Sequence, residues 1–490
     1  MHLMGNASVI IKNTTVLLAA QFVNMLLSFL YIAYTARYLE TDGFGVINVA
    51  LSVTTILGVI VDLGINSYIT REVSRDKALV NKFVTNILVL KLALAIIFFL
   101  ALLAYVLITG TSWQTSLVVC IFGFSTVFLA ITAIFNSIFQ AFEKIEYQSV
   151  GSVLGNLLLI LGALFAINQN FDVVGYSMVY FTSNLIVVFY CLAVYSLKFA
   201  RFSLRIDPGF IRSTLKETVP FALGMFYGTI YYYAGSVMLS LMKGDSELGI
   251  FSAAYRLFLF ILFIPQVFSM SLFPAMSRFF VTSADHLNMA FFKYLKYMAM
   301  VGIPMAIGGT LLADNIILFV FKEGYVQSII VLQIIIWAAL FIFLSSAYGC
   351  LFMSTNRQKT TTNIAGVCML VYLALNIILI DRFSYVGLAW STMIAEFVSM
   401  ALYFILSYRI GYGLSREILV DLIKVAIASL IMGAFVILVK SFYVFAVIAA
   451  AIVLYTAILY ILGCIDKDDI ALVKSIITTK IPMIRKALRG

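Results

Sequence analysis

The feature that most constrains this chain is a succession of apolar stretches, each about as long as a bilayer is thick, separated by short polar interruptions. A helix needs about 20 apolar residues to cross the hydrocarbon core, and within lipid every peptide N–H and C=O must be satisfied inside the segment. A window of about 19 residues picks out such stretches at 14–36, 44–66, 83–108, 116–139, 149–168, 173–196 and 218–242. Others follow at 248–275, 294–320, 328–352, 361–380, 384–407, 418–439 and 442–463. The expected fold class is an all-α integral membrane protein with about 14 transmembrane helices. Composition agrees, with 63% of the 490 residues hydrophobic and 11% charged, against roughly 45–50% and about 25% in soluble domains. The separators, among them Glu40-Thr41-Asp42-Gly43 and Lys322-Glu323-Gly324, leave no gap for a soluble domain.

Charge sets the orientation, because Lys and Arg are retained on the cytoplasmic side of short loops. With the N-terminus inside, 25 of the 32 Lys and Arg fall on the inner side and 5 on the outer, while Lys91 and Arg256 lie within helices. A missed helix would scramble that alternation, so both termini are expected in the cytoplasm and the protein in the cell membrane. The net charge of +10 then describes a basic inner face suited to anionic lipids. No basic stripe interleaved with aromatics points to nucleic acid. The segment following Met1–Lys12 lacks a small-residue cleavage site and is read as the first spanning helix.

Enzymatic and metal chemistry find little support. Cys120, Cys191, Cys350, Cys368 and Cys464 sit singly in apolar surroundings and read as small hydrophobes. His2 and His286 lie outside the apolar runs. There is no phosphate-binding loop ending in Gly-Lys-Ser or Gly-Lys-Thr. The chain is therefore expected to be no enzyme and to hold no cofactor, its driving force coming from a proton or sodium gradient, the membrane potential or the fate of its cargo.

The basic stretch 198–217, with Asp207-Pro208-Gly209, reads as a linker. It separates an N-terminal lobe at 1–197 from a C-terminal lobe at 218–407, followed by two helices at 408–463 and a basic cytoplasmic tail at 464–490. An internal similarity follows the same division: Phe44-Gly45-Val46-Ile47-Asn48-Val49-Ala50 resembles Leu248-Gly249-Ile250-Phe251-Ser252-Ala253-Ala254 at an offset of 204. Duplicated bundles are a transporter signature. Pro265, Pro274 and Pro304 fall inside helices eight and nine, where each removes a backbone hydrogen bond and favours a kink.

The stretch Tyr34-Thr35-Ala36-Arg37-Tyr38-Leu39-Glu40-Thr41-Asp42-Gly43-Phe44-Gly45 resembles the opening of the polysaccharide-export and lipid-linked oligosaccharide flippase family. Val61-Asp62-Leu63-Gly64-Ile65 and Ile69-Thr70-Arg71-Glu72-Val73 follow in the same order. That family, which includes the O-antigen flippases, belongs to the multidrug and oligosaccharidyl-lipid flippase superfamily. The resemblance implies two six-helix lobes in a V around a central cavity, two further C-terminal helices, and alternating access that moves a lipid-linked sugar across the membrane. It also implies, as partners, a lipid-linked oligosaccharide and the glycosyltransferases or polymerase that make and use it. An ion-coupled multidrug exporter of the same superfamily is the alternative within transport. A membrane-embedded glycan-assembly enzyme is the alternative outside it.

Ionisable groups cost roughly 2.5–3.5 kcal/mol at mid-membrane, so they are expected to face a cavity or a partner. Glu396 stands about a dozen residues into 384–407, and Thr392, Glu396, Ser399 and Tyr403 recur at helical spacing on one face. Thr392, Glu396 and Ser399 are the expected ion-coupling residues, for a proton or sodium. Arg256 is the expected ligand of a cargo pyrophosphate, because a guanidinium donates paired hydrogen bonds to phosphate. Lys91 reads two ways, as a second such cation or as a side chain that snorkels to the inner interface. Gln21, Asn24, Ser28, Tyr31 and Thr35 form a polar stripe on helix one suited to sugar hydroxyls. Gly224, Gly228, Tyr231 and Gly235 on helix seven read as a packing face, and Asp62 as an interfacial anchor or a helix-end ion pair.

Overall fold

The computed structural model describes residues 2–199 and 205–465, with side chains at 20–199, 205–218 and 226–465. Among the described residues every regular element is helical. The basic tail expected at 464–490 lies outside the described residues beyond Ile465.

Two compact units divide the chain, Met1–Gly249 and Ile250–Gly490. The first holds α1 (His2–Asp62), α2 (Ile65–Arg75), α3 (Val80–Thr109), α4 (Trp113–Ala141), α5 (Ile145–Asn168), α6 (Val173–Lys198) and α7 (Pro208–Lys243). It also holds the first turn of α8 (Asp245–Ile261). The second holds the rest of α8, then α9 (Phe263–Thr282), α10 (Ala284–Leu311), α11 (Ala313–Phe321), α12 (Ser328–Ser354), α13 (Gln358–Arg409), α14 (Arg416–Val439) and α15 (Val444–Ile461). In the first unit α1 packs on α3, α4, α5 and α7; in the second α12 packs on α9, α10 and α13, and α10 on α14.

The linker expected at 198–217 is helical from Pro208 onward. Asp207 accepts the Phe210 amide at 3.0 Å and Pro208 fills the first helical position, a strong start signal. The segment is also fastened to α3: Lys82 pairs with the Asp207 carboxylate at 2.8 Å, and the Asn86 side chain accepts the Asp207 amide at 2.6 Å. The packing face expected on α7 finds no neighbour at Gly228, which is exposed with open space where a Cβ would stand. The surroundings of Gly224 lie outside the described side chains.

Length and apolarity select ten helices among the described residues as able to cross a membrane, or eleven if α10 and α11, bent by 72° at their junction, form one span. Fourteen is not the number that criterion returns. Two of the ten are very long, Ala20–Arg75 at 56 residues and Gln358–Arg409 at 52. At 1.5 Å per residue the latter would run ~78 Å if straight, against a hydrocarbon core of ~30 Å. Each contains a break where the backbone leaves the helical region, at Glu40 (φ 54°, ψ −168°) and Ser384 (φ 51°, ψ −131°). The break in α13 reverses the chain. A Cβ on Gly387 would lie 2.0 Å from the Leu379 carbonyl oxygen, a residue that a continuous helix would hold ~12 Å away.

Prolines act where their chemistry requires. Pro265 cannot donate to Ile261 and its ring crowds that carbonyl, and α8 ends at Ile261. Pro274 and Pro304 stay within α9 and α10, and the 72° bend falls beyond Pro304, at Leu312. Four cysteines are buried as expected of small hydrophobes; Cys120 is exposed.

The internal similarity has a structural counterpart. Glu40 and Gly244, equivalent at the offset of 204, both take positive φ with ψ near 180° (φ 54° and 99°). A Cβ on Gly45 would stand 1.7 Å from the Asp245 carbonyl oxygen, and one on Gly249 1.9 Å from that of Thr41. The contact is reciprocal between equivalent residues of two turns in the first unit, and Ser246 Oγ donates to Thr41 Oγ1 across it at 3.2 Å.

Candidate functional site

The polar stripe of α1 is knitted to α5. Asn24 Nδ2 donates to Ser152 Oγ at 2.8 Å, Asn156 Nδ2 to Asn24 Oδ1 at 3.1 Å, and Ser28 Oγ to Asn156 Oδ1 at 3.0 Å. Each helix offers two side chains four residues apart, so both pairs lie on facing sides. Further along, the hydroxyls of Thr35 and Tyr176 lie 2.7 Å apart, and the Tyr176 ring stacks between Tyr31 and Tyr38 at 6.4 and 5.9 Å. Gln21 and Tyr31 are half-buried on the same helix. The seam is polar and only partly covered, and in a bilayer such bonds serve as interhelical glue.

Lys91 lies at the centre of a second cluster. It is fully buried, and Nζ donates to Asp62 Oδ1 at 3.2 Å, Asn66 Oδ1 at 3.1 Å and the Ala130 carbonyl at 3.0 Å. Asn66 Nδ2 donates in turn to Asp62 Oδ1. Both expectations for Lys91 change here. It does not snorkel, because its ammonium is enclosed by α1, α2 and α4, and its three N–H groups are already engaged, so a cargo phosphate would have to displace Asp62. Of the two readings of Asp62, the structure has the helix-end ion pair.

Arg256 is half-buried on α8, in a turn where Tyr255 stacks against Phe251 and Phe258 at 5.2 and 5.5 Å.

Glu396 is 8% exposed on the second arm of α13, and Thr392 is equally covered. Because the chain reverses at Ser384, the first arm faces them with Cys368, Tyr372 and Asn376, spaced at four residues like Thr392 and Glu396. Glu396 acts electrostatically on Cys368, Tyr372 and Tyr403; Ser399 meets Cys368, and Thr392 meets Tyr372. Asn376 is wholly buried with neither side-chain atom in a hydrogen bond of normal geometry. Carboxylate, hydroxyl and amide oxygens in an apolar surround can hold a proton or a monovalent cation. Among the described residues no group of three His, Cys, Asp or Glu is placed to hold a metal ion.

Sequence reasoning thus found Glu396, Thr392 and Ser399 together and missed their counterparts Tyr372 and Asn376. The signal available was the spacing of Cys368, Tyr372 and Asn376 through an otherwise apolar run. Asn66, Ser152, Asn156 and Tyr176 were missed for the same reason: each becomes informative only beside its partner helix. A further buried cation, Lys296, pairs with Asp421 of α14 at 3.3 Å.

The class these features define is an all-α, multi-pass membrane protein with polar clusters set between its helices. Within that class, the chain belongs to the polysaccharide biosynthesis protein family, matched over residues 10–280. It is similar to the capsular polysaccharide biosynthesis protein CapF of Staphylococcus aureus, 24% identical over 413 residues, covering 82% of this chain and 100% of that protein. Its fold is similar to that of the lipid II flippase MurJ in an inward closed conformation, with a TM-score of 0.76 at 18% identity over 90% of this chain and 97% of that one. It is also similar to an inward-facing multidrug resistance transporter of the MATE family, with a TM-score of 0.66 at 14% identity over 79% and 95% of the two chains.

Proposed function

We propose that this protein is a flippase that moves a polyprenyl-linked oligosaccharide or polysaccharide precursor from the inner to the outer leaflet of the cell membrane by alternating access. Membership of the polysaccharide biosynthesis family and the likeness to CapF support the glycan part of that reading. The likeness of fold to a lipid II flippase supports the lipid-linked part. The observation that carries transport is the buried ladder of Glu396 and Thr392 facing Asn376, because a carboxylate held inside apolar helices at this cost is kept for what it binds.

In this reading Arg256 engages the diphosphate of the carrier, and Gln21, Asn24 and Tyr31 at the partly open seam of α1 meet sugar hydroxyls. Glu396, Thr392 and Ser399, joined by Asn376, take the coupling proton or sodium. Both termini lie in the cytoplasm, where the basic face meets anionic lipids, and glycosyltransferases or a polymerase supply and consume the cargo. No bond in the cargo is made or broken.

The test is transport in proteoliposomes of a fluorescent polyprenyl-diphosphate disaccharide. Arg256→Ala is expected to lower flux at least tenfold at unchanged expression, and Glu396→Gln to flatten its dependence on pH or sodium. Export of cationic dyes without movement of the lipid-linked sugar would overturn the reading in favour of a multidrug exporter.

A further inference from the structure

Four helices meet at Lys91. The Asp62 carboxylate closes α1, Asn66 lies in the first turn of α2, Ala130 offers its carbonyl from α4, and the ammonium arrives from α3. The two side-chain ligands reach the same point because the chain turns between them. Leu63 and Gly64 take φ of 45° and 69°, consecutive left-handed residues that end one helix and start the next. For leucine that conformation costs roughly 1–2 kcal/mol, so the turn is held by what it positions.

Around Nζ stand three oxygens, one from a carboxylate, one from an amide and one from a peptide, at 3.0–3.2 Å. Oxygens of this kind replace the hydration shell of a bare cation. These are the hydrogen-bond lengths of an ammonium; they exceed the 2.0–2.6 Å typical of magnesium and calcium, so a free ion that replaced the ammonium with least movement of the oxygens would be a large monovalent one such as potassium. The single carboxylate supplies one negative charge, which balances a monovalent ion and would leave a divalent one uncompensated in an apolar interior. The geometry points to a monovalent-cation site built by α1, α2 and α4 and filled from α3 by the tethered ammonium of Lys91. The chain thereby carries its own cation at this junction. The first unit is held together here independently of ions in solution, and deleting the tether converts the junction into a site for a free ion.

The inference is independent of any cargo, and its failure leaves the flippase reading where it stands. The experiment uses the full-length protein in detergent, followed by thermal unfolding with a thiol-reactive dye in potassium, sodium or choline chloride at equal ionic strength. Wild-type protein is expected to melt at the same temperature in all three salts. Lys91→Ala is expected to melt lower in choline and to recover by several degrees in potassium, less in sodium. Asp62→Asn combined with Lys91→Ala should lose that recovery, and Lys91→Met, whose side chain fills the space, should never gain it. A Lys91→Ala protein indifferent to the cation overturns the inference, as does one that cannot fold even in potassium. Retention of the potassium response in either control does the same.

Discussion

Pro304 leaves a mark on the second unit that can be measured. Lacking an N–H, it cannot donate to the Met300 carbonyl one turn earlier. Tyr455 of α15 supplies the missing donor: its hydroxyl reaches the Met300 oxygen at 2.8 Å, and its side chain is 8% exposed. Removing the hydroxyl by Tyr455→Phe strands a half-buried acceptor; a fully buried one left unpaired costs roughly 1–3 kcal/mol in proteins generally. Interhelical bonds in membrane bundles average about 0.6 and reach about 1.7 kcal/mol, because the unfolded chain in the membrane finds other partners. The Met300 oxygen has lost the helical donor that would have compensated, so a cost of about 1.5 kcal/mol is expected. In a Pro304→Ala background the restored amide serves that carbonyl and Tyr455→Phe should cost little. Reversible unfolding in mixed micelles of the wild type, the two single variants and the double variant measures the coupling. Tyr460→Phe, on an exposed residue of the same helix, is the control. Additivity of the two substitutions within about 0.5 kcal/mol would refute the pairing of proline and tyrosine.

Two further outcomes follow from local geometry. Gly249→Ala would drive a Cβ into the Thr41 backbone at 1.9 Å, where nothing flexible can give way, so a loss of about 3 kcal/mol or more is expected. Gly366→Ala, in open space within α13, should instead raise stability by up to about 1 kcal/mol; equal melting temperatures for the two variants would sink the steric argument. The Asp207 carboxyl is held below the ordinary carboxylate range, first by its hydrogen bond from Lys82 and then by the Phe210 amide. A depressed folded-state value means that its contribution is complete above the unfolded value of about 3.9 and is lost as pH falls through the lower folded value. Amide protection at 205–210, taken relative to the intrinsic exchange rate at each pH, should therefore be unchanged from neutral to mildly acidic pH and fall only in strong acid, whereas Asp207→Asn should show the lower protection at every pH.

What was legible in the sequence divides along a physical line. Apolar length is a local property, so the helices could be read from windows of residues, and so could the face shared by Thr392, Glu396 and Ser399. Where a helix breaks is also local: the separator Glu40-Thr41-Asp42-Gly43 and the gap between 380 and 384 fall at both breaks, although neither Glu40 nor Ser384 is glycine or proline. What a window of residues does not give is which side chains the reversal sets face to face. Without the break at Ser384 there is no reason to set Tyr372 and Asn376 opposite Glu396. The state of Lys91 was illegible for a similar reason. A lysine eight or so residues into a helix snorkels if its neighbours are aliphatic and stays buried if a carboxylate waits, and Asp62 arrives from a different helix.

The repeated turn shows how little sequence a structural repeat needs to preserve. Between 44–50 and 248–254 the matching residues are mostly a shared pattern of apolar side chains, with glycine and alanine at identical places. The apolar positions have many solutions, since cores tolerate exchange among hydrophobic residues of similar volume. Glycine has one. Because Gly45 meets the backbone of Asp245 and Gly249 that of Thr41, each glycine is required by the residue equivalent to its own fourth predecessor, and the requirement runs in both directions. A two-fold contact of this kind constrains both copies at once, so a Cβ in either would force apart the same pair of backbones. Two such turns can drift in almost every side chain and still keep these glycines, which is why the similarity is faint by identity and plain by geometry.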